Sequence, residues 1–178
     1  MQKNVFRAMG LFAVSLCGVA TAAQLSPDEL AKQSFDQLLL RCTDAFKAED
    51  REKVNNPPQG GYVKVRQTDL KTNYDITRTQ SLVSPFMGSL SVSRTGLMTE
   101  RYPTREEAEA STNLIPKILI VNRFTFAFQS GVWVLKDHAA QSALYKDGVP
   151  ERLSAPVTYT PSKKGEAPVS PEFVCAFG

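Results

Sequence analysis

Apolar positions in this chain first recur at steps of three and four. Ala31, Phe35, Leu38, Leu39, Cys42, Ala45 and Phe46 form one face, Leu40 lies beside it, and charged residues fill the rest. That period belongs to an amphipathic helix. Its start is marked by Ser26-Pro27-Asp28-Glu29. The Ser26 hydroxyl can accept from the Glu29 amide while the Glu29 carboxylate reaches back to the Ser26 amide. Proline in the first helical position gives up an N–H that the helix does not use. Leu25 and Leu30 occupy the two positions of a hydrophobic staple. Asn55-Asn56-Pro57-Pro58 and Gly60-Gly61 then stop the helix, which is expected over 26–52.

After residue 61 the period falls to two, the signature of strands. A short strand is expected over 62–66, and longer ones over 72–83, 86–99 and 117–128. In the last, Ile118, Ile120, Phe124, Phe126 and Phe128 share one face. Gln129-Ser130-Gly131 turns the chain, and residues 132–139 return with Trp133 and Leu135. Thr104 and Glu107 form a second capping box, which opens a short helix over 105–112. One conflict stands out. Tyr74, Ile76 and Leu82 share a parity, as do Phe86, Leu90 and Val92, but a two-residue turn at Ser84-Pro85 would put these sets on opposite faces. An irregular connection, by a longer loop or a bulge near Gly88, is therefore expected.

The last stretch, 154–172, holds Pro156, Pro161, Pro168 and Pro171 and is expected to be extended and weakly structured. Phe173, Cys175 and Phe177 alternate after it. The expected architecture is α+β: one long N-terminal helix packed on an antiparallel sheet of about four to five strands, followed by an extended, proline-rich C-terminal tail. This element order, with Gly131-Val132-Trp133 late in the chain, resembles the cystatin-like and NTF2-like folds.

Composition places the chain in its compartment. Lys3 and Arg7 precede an uncharged, mostly apolar stretch over 8–19, and Ala20-Thr21-Ala22 supplies small residues for cleavage. Residues 1–22 are expected to be a signal peptide and 23–178 a single α+β domain, with 154–178 its tail. The expected location is the periplasm or the exterior, with no membrane span after processing, since the apolar stretch is too short to cross a bilayer. The competing reading, a lipid anchor at Cys17, suffers from bulky Leu16 just before that cysteine. Loss of Lys3 and Arg7 lowers the formal net charge from +3 to +1. No basic stripe remains, so nucleic acid is not an expected partner. Of the three cysteines, Cys42 and Cys175 survive processing, and in an oxidising compartment they are expected to be bonded.

Candidate chemistry is sparse. His138 is the single histidine. It neighbours Asp137 on a strand, so the two side chains point to opposite faces and cannot form a dyad without a bulge. By parity with Val134 and Lys136, His138 is expected at the surface. No G-x-S-x-G elbow, phosphate-binding glycine loop or metal-ligand spacing occurs. No catalytic residue, metal or cofactor is therefore expected. Glu106, Glu107 and Glu109 suit the start of a helix. Arg78, Arg94 and Asn122 interrupt apolar series on core-facing parity, and they are the candidate ligand-binding residues, able to form a polar floor on the concave side of the sheet. Ser89, Ser91 and Ser93 give a polar outward face, and an edge of the sheet could pair with a partner strand. The first functional expectation is an exported, non-enzymatic protein that binds another macromolecule, as an inhibitor, immunity or envelope accessory factor does. The alternative is a carrier with a small-ligand pocket between helix and sheet, and an enzyme ranks third.

Overall fold

A computed structural model describes residues 25–159 together with Val174 and Cys175. The expected signal segment, most of the proline-rich tail, Phe173 and Phe177 lie outside the described residues.

Helix α1 spans Pro27–Lys47. Both bonds of its capping box form: the Ser26 amide donates to Glu29 Oε2 at 2.8 Å, and the Glu29 amide donates to Ser26 Oγ at 3.3 Å. The helix stops short of the expected residue 52, because the chain leaves it through a turn and enters strand β1 (Lys53–Asn55), which pairs with Val63–Val65. Strand β2 (Val63–Arg78) unites the expected strand 62–66 with most of 72–83. A bulge between Thr68 and Lys71, where Asp69 has φ +53°, lets one strand carry both. Strand β3 (Phe86–Met98) follows, then helix α2 (Arg105–Ala110) with its own capping box from Thr104 and Glu107. Strands β4 (Ile115–Gln129) and β5 (Val132–Lys146) form a hairpin, and β6 (Val149–Pro150) and β7 (Val157–Tyr159) both pair with β5.

The sheet is antiparallel, in the order β1-β2-β3-β4-β5-β6, with β7 beside β5. The α+β class and the helix-on-sheet packing are as expected, but among the described residues the sheet has seven strands rather than four to five. The additions are β1, β6 and β7, each of three residues or fewer and so too short to display a period. The conflict between β2 and β3 is resolved by a long connection: Arg78 pairs with Phe86, and residues 79–85 loop out. Leu82 thereby leaves its expected core face and becomes wholly exposed.

The core lies between α1 and the inner sheet face. Phe35 packs on Phe126 with centroids 6.0 Å apart and on Trp133 at 4.6 Å, while Phe46 meets Phe124 at 6.4 Å. Leu38, Leu39, Leu90 and Val92 fill the space among the rings. Cys42 and Cys175 are bonded within this cluster, their Cα atoms 4.8 Å apart. Val174 and Cys175 are helical. The start of the tail is also better ordered than expected. The Ser154 amide donates to the Ser142 carbonyl at 2.7 Å, and β7 pairs with residues 138–140.

Candidate functional site

The inner face of β3 carries Phe86 at one end and Arg94 toward the other. Eight residues separate them, roughly 26 Å at strand rise. Arg78 pairs with Phe86 across the ladder, whereas Arg94 pairs with Ile120. The two candidate arginines thus occupy opposite regions of the sheet. Arg78 is exposed, donates through Nη1 to Asp28 Oδ2 at 3.4 Å, and lies over the Phe86 ring at 5.9 Å. Arg94 lies over the Phe46 ring at 5.1 Å. It lines a cavity of about 70 Å³ with Phe46, Gln67 and Leu70. That is far below the volume a drug-sized ligand needs.

Asn122 stands diagonally from Arg94 on the same inner face, opposite Val92. It is buried, and its Oδ1 accepts from His138 Nε2 at 3.0 Å. Its Nδ2 finds no acceptor among the described residues. The expected surface position of His138 is overturned: the residue is only 7% exposed and stacks on Phe124 at 4.4 Å. The cause is a bulge. Thr125 pairs with Asp137 but Phe126 pairs with Leu135, so Lys136 is an extra residue and every position after it changes face. Asp137 remains exposed on the other side. The carboxylate and the imidazole therefore still point apart.

A cleft of about 580 Å³ opens between α2 and the β1–β2 pair. Its charges answer one another: Lys64 Nζ lies 3.3 Å from Glu52 Oε2, and Arg105 Nε lies 2.7 Å from Glu109 Oε1. Among the described residues no group of three or more His, Cys, Asp or Glu side chains could hold a metal ion. No helix among them is long and apolar enough to cross a membrane.

The most distinctive surface lies where Arg78 meets Asp28. Here the β2–β3 loop, the β4–β5 turn and the first turns of α1 come together. Leu82 is 99% exposed, Val83 73% and Val132 58%; Leu25 and Leu30 are exposed as well. The three segments are tied together. Gln129 Nε2 donates to Ser84 Oγ at 2.6 Å, and Trp133 Nε1 donates to the Ala31 carbonyl at 3.1 Å and to Ser34 Oγ at 3.2 Å. The loop is braced internally, since the Thr79 amide donates to the Pro85 carbonyl at 2.8 Å and the Ser84 amide to Ser81 Oγ at 3.1 Å. Covering such side chains would remove apolar area from water, and a braced loop has little freedom left to lose. Sequence parity assigned Leu82 to the core and so missed this end. The signal was present in the face conflict between β2 and β3, which required residues of that connection to leave the sheet.

No family model, no curated protein and no solved structure matches the chain.

Proposed function

We propose that the protein is an exported, non-enzymatic factor of the inhibitor, immunity or envelope accessory type, and that it grips a partner protein with the end of the molecule formed by residues 79–85, the β4–β5 turn and the start of α1. The observation that carries this reading is the apolar surface of Leu82, Val83 and Val132 displayed on a hydrogen-bonded frame. Water-exposed leucine and valine on a braced loop cost solubility and gain nothing for the fold, whereas burial against a partner returns about 1.5–3 kcal/mol for each large side chain. The aromatic filling between α1 and the sheet supports a surface binder over a carrier. A photo-crosslinking residue placed at Leu82 in the source cell tests this, with the same residue at exposed Leu144 as reference. The expected result is one discrete adduct at 82 that disappears on Val132→Asp. Identical adduct patterns from both positions would overturn it.

A further inference from the structure

The outer edge of β2 is a second, separate surface. Strand β1 covers only Val63–Val65. From residue 66 to 78, β2 has no neighbour on that side among the described residues. The phase of its hydrogen bonds follows from the loop. The Thr79 amide donates to the Pro85 carbonyl, and the register runs without a shift from Arg78↔Phe86 to Lys71↔Ser93. In an antiparallel ladder the bonded pairs alternate. Residues 71, 73, 75 and 77 therefore turn their backbone groups toward β3, and 72, 74, 76 and 78 turn theirs outward. A sheet edge with unpaired backbone groups is a template for another strand.

We propose that the occupant is a second copy of this chain, with β2 pairing antiparallel to β2 about a twofold axis beside Asn73. The argument is charge complementarity. Edges are commonly guarded by charge, but Lys71 and Asp75 carry opposite signs and stand two residues on either side of Asn73. About that centre each Lys71 lies opposite the partner copy's Asp75. A centre at 71 would oppose two lysines, a centre at 75 two aspartates, and a centre at 72 sets Lys71 opposite Asn73. A centre at 74 opposes no charged pair. Among centres at 71 to 75, on the regular part of the strand, only the one at Asn73 gains attraction, and it gains it twice. It also agrees with the bonding phase: Thr72 and Tyr74, whose backbone groups point outward, fall opposite each other and exchange both bonds. On the inner side, Leu39, Leu40, Thr72 and Tyr74 line a groove of about 280 Å³ between α1 and the strand. Leu40 and Tyr74 are exposed there, and the second copy's Thr72 and Tyr74 would close over them.

This association uses a different face from the apolar loop end, so either reading can fail without the other. Sedimentation velocity of the processed full chain tests it. The wild type should run at twice the monomer mass. Lys71→Asp alone and Asp75→Lys alone should each weaken association about tenfold or more, and the double swap should restore it. On an otherwise wild-type chain, Asn73→Cys should crosslink to itself as a reducible dimer, because that pair is the closely spaced, non-bonded kind. Thr77→Cys, on the same face but four residues from the axis, should not. A wild type that stays monomeric overturns the proposal. So does a dimer indifferent to both single reversals, failure of the double swap, or an Asn73→Cys adduct with a different protein in place of a second copy.

Discussion

Gly88 lies beneath the ring of Phe35. A β-carbon placed on Gly88 would come within 2.7 Å of Phe35 Cζ. The helix thus approaches the sheet at a point where β3 has no side chain, and the ring takes that space. Gly88→Ala should displace the ring or the helix and cost about 1–3 kcal/mol. Phe35→Leu should itself be destabilising but should relieve part of the alanine's penalty. Urea denaturation of the two single variants and the double variant checks this. Strict additivity would show that the two residues do not compete for one volume.

Phe126 is 1% exposed and edge-on to Phe35. Phe126→Ala should lower stability by about 3–5 kcal/mol, the sum of lost transfer energy and a cavity that the rigid sheet cannot close. Val132→Ala, at the exposed end, should stay within about 0.5 kcal/mol of wild type. Chemical denaturation distinguishes the two.

The Asn122–His138 contact is a buried bond between neighbouring strands. Asn122→Leu removes the acceptor and leaves a buried imidazole N–H facing a methyl group. The expected loss is about 1–3 kcal/mol. A variant as stable as wild type would mean that the bond contributes nothing net. The histidine ring signals in NMR should also move, because the stacked ring would change its hydrogen bonding.

Hydrogen bonds from the Ser26 side chain and then its backbone hold the Glu29 carboxyl below its ordinary value of 4.5. A carboxyl depressed in the folded state contributes stability above its unfolded value, and that contribution is lost as pH falls through the folded one. The first turn of α1 should therefore fray on acidification through and below the ordinary carboxylate range. Amide exchange at residues 28–30 should speed up accordingly. Glu29→Gln should flatten this pH dependence at those amides.

The Cys42–Cys175 bond closes a loop with a sequence separation of 133. Chain entropy places its contribution at about 5 kcal/mol before any strain. Cys175→Ser should release the end of the chain first, so limited proteolysis should cut within 154–172 while circular dichroism of the helix and sheet persists. Simultaneous loss of tail and helix signal would show that the bond holds the whole domain together.

The helix face, both capping boxes and the packing of Phe35 and Phe46 on Phe124, Phe126 and Trp133 were legible because period and caps depend on near neighbours. The bonded cysteines were legible from their even count once an oxidising compartment was expected. What escaped depended on single inserted residues. Lys136 bulges, and His138 moves from the expected surface into the core; Asp69 bulges, and two strands become one. A period-two pattern carries no mark of where it slips, because a bulge costs the sequence only one residue. Strand β6 is different. Asp147-Gly148, with φ of +51° and +79°, is a strong hairpin signal that could have been read. Of the candidate binding residues, Arg94 and Asn122 do share the inner face, while Arg78 belongs to the loop end.

The disulfide also sets an order of events. Synthesis runs from the amino end, so 133 residues of further chain separate the appearance of Cys42 from that of Cys175. At about 5–20 residues per second this takes roughly 7–27 s. By the time Cys175 is added, helices α1 and α2 and strands β1 to β7 have all been made. The bond therefore cannot form before the chain of every described strand exists. A chain that ends between residues 159 and 175 carries all these strands but lacks the partner of Cys42, and the free thiol distinguishes it from the finished molecule.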